Sequence, residues 1–279
     1  MSTSSSFSAR LHSEQSQDTD RLMRLNQFLN QDCLRRLDLA PGDRVLEVGS
    51  GLGIFARDMA RAAGGEHPVV CIERNDGRIY RSLELAAAEG EGGLLDMRQG
   101  DLYKPPLRES ELGSFDVVHC RFVLSRLSNP QRAVESLLPA LRPGGRMVLM
   151  DDDNDVLRLW PAIPAVDELW RALVHSASDR DRDPFVGRKL GSMMHLAGLE
   201  NPRIGCLFGG GNAGSDGWRF VTENIVDILR AGRASILQST AITGELFDEV
   251  IESLEHWTNR PEASLWYPIC WAEGTRPTD

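Results

Sequence analysis

The chain has 279 residues, 41% of them hydrophobic and 26% charged, which places it among ordinary globular proteins with material for one α/β core plus an embellishment. Its formal net charge of -10 disfavours a nucleic-acid backbone or an anionic membrane surface as a partner. The 5 cysteines are scattered without a CxxC pair; they read as reduced thiols of a cytoplasmic protein with no metal site, and no apolar run nears the roughly 18 residues of a membrane span.

Residues 1–18, Ser-rich and polar, read as a disordered tail. From there Leu22, Leu25, Leu29, Cys33 and Leu37 recur at helical spacing, with Thr19 or Asp20 as N-cap, predicting a helix over 19–38. Pro41-Gly42-Asp43 turns into a short apolar strand, Arg44 to Val48, which feeds glycines. Ile54 to Ala63 then puts Phe55, Met59, Ala60 and Ala63 on one face before Gly64 stops the helix.

The unit recurs. Val69 to Ile72 is a strand ending at Glu73, Gly77 to Ala88 is helical, and Leu94 to Arg98 is a strand delivering Gly100-Asp101. Phe115 to Cys120 is a fourth strand, Asn129-Pro130 opens a helix striped by Ala133, Leu137, Leu138 and Leu141, and Pro143-Gly144-Gly145 turns into a fifth strand, Arg146 to Met150. Such alternation with short connections predicts a doubly wound parallel sheet.

Beyond Asp151 regularity weakens. Helices are expected over Val166 to Ser176, Gly187 to Leu196, Gly217 to Ala231 and Gly244 to Trp257, strands over Arg203 to Leu207 and Ser264 to Trp271, and a loop over Phe208 to Gly214.

In a doubly wound sheet, ligands bind at the carboxyl ends of the strands where strand order reverses, so the loop Gly49-Ser50-Gly51-Leu52-Gly53 is the first candidate site. Glycine there permits a tight strand-to-helix turn and lets a ligand approach the main chain. A dinucleotide fingerprint would need glycine where Ile54 stands, and Glu47, just before the loop, would repel a pyrophosphate. A ligand carrying an ammonium group suits Glu47 better. Glu73, ending the next strand, stands where a carboxylate accepts the hydroxyls of a ribose.

Val45-Leu46-Glu47-Val48-Gly49-Ser50-Gly51-Leu52-Gly53, Ile72-Glu73, Gly100-Asp101-Leu102, Phe115-Asp116-Val117-Val118-His119-Cys120-Arg121 and Leu141-Arg142-Pro143-Gly144-Gly145 follow one another in order. This set resembles the class I S-adenosylmethionine-dependent methyltransferases, in the small-molecule branch of the ubiquinone/menaquinone-biosynthesis type. Asp183-Pro184-Phe185-Val186-Gly187-Arg188 and Ala197-Gly198-Leu199 resemble the same branch. The resemblance implies an α/β, Rossmann-like seven-stranded sheet, mostly parallel with a C-terminal antiparallel strand and helical cap insertions. It implies one domain over 19–279, closed by the helix 19–38, with cap segments mainly over 154–200 and 208–245.

It further implies S-adenosylmethionine as cofactor: Glu47, Gly49, Ser50, Gly51 and Gly53 at the methionine part, Glu73 with Arg74 at the ribose, Asp101 and Leu102 at the adenine, and Arg21 and Arg121 completing the set. Where relatives carry a histidine after the fourth strand this chain has Arg126, which cannot serve as a base. The residues left to assist an acceptor are Asp151 in the triplet Asp151-Asp152-Asp153, His119 and Arg126. Trp160, Trp170, Trp218, Met193 and Met194 are candidates to line an acceptor pocket.

The resulting expectation is O-methylation of a small aromatic or polyketide-like metabolite of secondary metabolism by a monomer or homodimer. The alternatives are a protein that binds S-adenosylmethionine without transfer, and an NAD-dependent oxidoreductase.

Overall fold

A computed structural model describes residues 23–178, 182–239 and 241–278. The expected tail over 1–18 and Arg21 lie outside them. Residues 23–37 are helical (α1) and bury Leu29, Cys33 and Leu37, the stripe that the leucine spacing predicts.

The repeating units follow as β1 (Val45–Val48), α2 (Ile54–Ala62), β2 (Val69–Glu73), α3 (Asp76–Ala88), β3 (Leu95–Gln99), β4 (Phe115–Arg121), α4 (Pro130–Leu137) and β5 (Leu141–Asp151). Every residue of β1 and β2 is buried, because helices cover both faces of a parallel sheet and leave no polar side to its central strands. Asn75 and Asn129 cap α3 and α4, accepting from the amides of Arg78 and Arg132 at 3.0 Å each.

The second half adds β6 (Arg158–Trp160), α5 (Pro164–Ser178), α6 (Leu190–Leu196), β7 (Glu200–Phe208), β8 (Gly211–Asn212), α7 (Trp218–Ala231), α8 (Arg233–Ser239), α9 (Gly244–Trp257), β9 (Ser264–Trp266) and β10 (Pro268–Thr275). The main sheet has seven strands in the order β3-β2-β1-β4-β5-β10-β7. It is parallel except for β10, which runs antiparallel to both β5 and β7.

The order reverses beside β1, which pairs with β2 on one side and β4 on the other, Val48 standing opposite both Ile72 and Cys120. The carboxyl ends of three strands therefore finish level with one another, around the glycine loop. On the far side Cys270 pairs with Asp151, so the segment entering β10 passes beside the residues that leave β5.

The run Ser264 to Trp271, expected as one strand, is two. β9 joins β6 and β8 in a separate three-stranded sheet, order β6-β9-β8, and Tyr267 sits at the changeover. That small sheet packs with α5, α7, α8 and α9 around a second apolar core that includes Trp170, Trp218, Phe247 and Trp257. Each of its three tryptophans finds a carbonyl for its indole N–H: Trp170 on Asn154, Trp218 on Thr258 and Trp257 on Pro161, at 2.6, 2.9 and 2.8 Å.

Two placements differ from the sequence expectation. Val186, Leu190, Met193, Met194 and Leu199 pack into the core of the main sheet, so the second part of 154–200 supports the sheet rather than the cap, while α9, beyond 245, joins the cap. Among the described residues no helix is long and apolar enough to cross a membrane, and no group of three or more His, Cys, Asp or Glu side chains could hold a metal ion.

Candidate functional site

A cavity of about 510 Å³ lies between the carboxyl ends of the strands and the cap, a size suited to small ligands. One end is the glycine loop. The amides of Gly49 and Ser50 donate to the Ile72 carbonyl at 2.7 and 3.3 Å, folding the loop over the end of β2. Gly49 has φ +71°, and a Cβ there would lie 2.2 Å from Val123 Cγ2, so neither backbone nor space admits another residue. At Gly51 (φ +57°) a Cβ would meet nothing within 4 Å: the main chain borders open space, a cradle that a side chain would fill. Gly53 is different, since its Cβ would strike Ser82 Oγ at 2.3 Å and it does not line the cavity. Its glycine serves helix-to-helix packing at the N-cap of α2.

Glu47 and His119 stand opposite each other in the β1–β4 register and so share one face of the sheet. His119 Nδ1 is 3.6 Å from Glu47 Oε1, beyond hydrogen-bond distance. Glu47 lines the cavity, and its Oε2 is buried without a partner. That orphaned carboxylate oxygen is a site awaiting a donor. His119 is fully buried, touches Phe55 edge-on at 5.2 Å between ring centroids, and does not line the cavity. Burial lowers its pKa, an effect that the Glu47 carboxylate opposes. The expectation of a catalytic His119 is therefore corrected: strand alternation turns it under Phe55.

Glu73 ends β2 as expected. Its Oε1 accepts from the amides of Arg74 and Asn75, both at 2.9 Å, and its Oε2 from Gly51 at 3.0 Å. A carboxylate has about four acceptor positions, so Oε2 retains one toward the cavity. Ser50, Arg74 and Leu102 also line it, whereas Asp101 does not. The Asp101 carboxylate instead accepts from the Tyr103 amide at 3.0 Å, as a turn residue does.

Arg121 spans the gap to α1. Its guanidinium donates to Asn26 and Asn30 at 2.8 and 3.0 Å and to Cys33 Sγ at 3.2 Å, and lies 4.2 Å over the Phe55 ring. α1 is thereby held across the cavity mouth.

The other end of the cavity is bounded by Trp170, Leu173, Phe220, Ile225, Ile228 and Leu265, with Asp152, Asn154, Arg126 and Tyr267 as polar points. The expectation of Asp151 is corrected by one residue. Asp151 is fully buried and accepts from the amides of Ser125 and Asp152 at 3.2 and 2.9 Å, which leaves it turned into the protein. Asp153 is taken by Arg188, at 2.5 and 2.7 Å. Asp152 lines the cavity within hydrogen-bond reach of the Tyr267 hydroxyl. Burial and the neighbouring Asp151 push it up to about 7, against the Tyr267 hydrogen bond and the Arg126 charge.

Tyr267, which the sequence did not single out, has Asn154 Oδ1, at 3.3 Å, as the other acceptor for its one hydroxyl proton. Among the proposed pocket residues Trp170 lines the cavity and Trp218 lies in the cap core. Trp160 is 68% exposed, and Met193 and Met194 belong to the main core.

The segment Asp183 to Arg188 clasps this strand end. The Gly187 amide donates to the Asp152 carbonyl at 3.0 Å, Asn154 donates through its backbone and its side chain to the Pro184 carbonyl at 3.0 and 2.9 Å, and Arg188 holds Asp153. A Cβ on Gly187 would lie 2.8 Å from the Asp152 carbonyl, so only glycine permits this approach.

Comparison with known proteins gives four likenesses. A family model described as a methyltransferase domain matches residues 20–203. An uncharacterized 37.1 kDa protein in transposon TN4556 of Streptomyces fradiae is 28% identical over 199 residues, 66% of this chain and 54% of its own length. The ubiquinone/menaquinone biosynthesis C-methyltransferase UbiE of Ectopseudomonas mendocina is 31% identical over 111 residues, 40% of this chain and 42% of its own. The chain thus spans about half the length of these curated relatives. Among solved structures, a putative methyltransferase from Bacillus halodurans C-125 superposes with a TM-score of 0.58 at 18% identity, covering 88% of this chain and 98% of its own.

Proposed function

The chain belongs to the class I S-adenosylmethionine-dependent methyltransferases, and from that premise we propose that it methylates a small, largely apolar and aromatic acceptor at an oxygen atom. The observation that carries this reading is the continuity of one cavity from the glycine loop to the apolar wall of the cap. A donor and an acceptor can meet there out of water.

The residues present fit the donor. Gly51 leaves a cradle against the main chain, Glu47 offers a buried carboxylate oxygen without a partner, and Glu73 retains one acceptor position. In this reading Glu47, Gly49, Ser50 and Gly51 hold the methionine part, Glu73 and Arg74 the ribose, and Leu102 the adenine ring, while Arg121 keeps α1 closed over them. When bound, S-adenosylmethionine supplies a methyl group on a sulfonium, already a good leaving group. What remains for the chain is to orient the acceptor at about 3 Å and to exclude water. The cap does both: Trp170, Phe220 and Leu265 give an aromatic molecule flat apolar walls.

Transfer to carbon is the second reading, favoured by the name of the UbiE relative. Incubation with methyl-¹³C-labelled cofactor and a panel of hydroxylated aromatic compounds tests both. The expected product carries its label as an O-methyl carbon, with S-adenosylhomocysteine released in equal amount. A carbon-bound methyl would establish the second reading, and no turnover with the cofactor bound would contradict methyl transfer.

A further inference from the structure

Resting on the methyltransferase reading, we propose that Asp152 takes the proton from the acceptor, with Tyr267 and Arg126 as its positioning residues. The acceptors are then molecules that surrender a proton at the reacting atom, phenols and enols above all.

Three consecutive carboxylates stand at the end of β5, and their surroundings separate them. Asp151 is closed in by the Ser125 and Asp152 amides, and Asp153 is bound by Arg188. Asp152 alone of the three lines the cavity. Its backbone is fixed by the Gly187 amide at 3.0 Å, and the Cys270–Asp151 pairing brings Tyr267 alongside. Two distant parts of the chain converge on this one residue, the Asp183 to Arg188 clasp on its backbone carbonyl and the entry to β10 beside its side chain, as a positioned reactive group requires.

The groups that face Asp152 are Asp151 and Asp153 on either side of it in the chain, Tyr267 from the β9–β10 junction, and Arg126 from the turn after β4; Cys270 of β10 lies within its field, and Arg188 neutralises Asp153. The Tyr267 hydroxyl and Arg126 both favour the carboxylate, while burial and Asp151 favour the acid. This opposition keeps the group able to accept and release a proton near neutrality. In the step assigned to it, the acceptor O–H bond breaks and its electron pair stays on the acceptor oxygen. The proton passes to an Asp152 carboxylate oxygen and leaves to solvent after turnover. Among the described residues no other cavity-lining side chain offers a base in this lobe: Arg126 cannot be one, and His119 is sealed beneath Phe55.

The free protein supplies the first measurement, ¹³C-carboxyl NMR of aspartate-labelled chain. One signal should titrate at about 7, be missing in Asp152→Asn, and move to higher pH in Tyr267→Phe, which loses a hydrogen bond to the charged form. Aspartate signals that all titrate below about 5 would overturn the proposal.

The second measurement uses a turned-over phenol. Asp152→Asn should bind cofactor as the wild type does, lose about 10²- to 10⁴-fold in kcat, and lose the limb of the pH profile that rises through neutrality, with partial rescue in Asp152→Glu. An Asp152→Asn enzyme with wild-type kcat and pH limb sinks the proposal while leaving the methyltransferase reading intact. A wild-type chain that binds no cofactor sinks that reading instead. Should Asp152→Asn fail to fold, Tyr267→Phe decides, through the expected upward move of the same limb.

Discussion

At the scale of the residue, the donor end depends on groups whose position is set by short stretches of chain. Gly49, Ser50 and Gly51 follow β1 without interruption, and Glu47 sits inside it, so the order of the letters already places them at the cavity. Glu47 is the sharpest of these. Its Oε2 is buried without a partner, a condition that costs about 1–3 kcal/mol and is relieved when a donor arrives. Glu47→Gln is therefore expected to fold as the wild type does, with thermal melting within a few degrees, and to bind S-adenosylmethionine about tenfold or more weakly. Calorimetry on the two proteins checks it, and equal affinities would remove Glu47 from the site.

The acceptor end was less legible for a reason that belongs to this scale. Asp151, Asp152 and Asp153 are adjacent and chemically alike, and which one faces the cavity depends on the Ser125 amide, on Arg188 and on where Tyr267 enters β10. None of these is near in sequence. The same holds for His119, whose direction follows from its pairing with Glu47 across two strands.

At the scale of the element, alternating apolar strands and capped helices declared themselves up to β5, because each unit buries its stripe against its immediate neighbours. Ser264 to Trp271 did not, since one apolar run is divided between two sheets according to which distant strands it meets. Between β3 and β4, Arg98 donates to both oxygens of Glu111 at 2.7 Å and also to Asp96.

That pairing holds the Glu111 carboxyl down at about 2. A carboxyl whose folded value is depressed adds stability above its unfolded value, near 4.3, and that stability is lost as pH falls through the folded value. Acid unfolding should therefore include a contribution between about pH 4.3 and about pH 2 that Glu111→Gln lacks. The variant leaves Arg98 half-buried beside a neutral amide and should cost roughly 3 kcal/mol at neutral pH. Denaturant titration at both pH values measures it; a loss that is as large in acid as at neutrality would contradict the assignment.

At the scale of the whole molecule, three apolar cores, two against the main sheet and one within the cap, surround the cavity that holds the candidate site. The sheet side carries the glycine loop with Glu47 and Glu73, and the cap side apolar and aromatic walls that suit the proposed acceptor. The net charge of -10 suits a small acceptor better than a polyanionic one. Everything proposed for the cap, including Asp152 as proton acceptor, presupposes the donor at Gly49 to Gly51. Titration calorimetry of the full chain with S-adenosylmethionine and with NAD tests that presupposition most directly. Saturable binding of S-adenosylmethionine, one per chain, and no heat with NAD are the expected results. Tight binding of NAD, or none of S-adenosylmethionine, would contradict it.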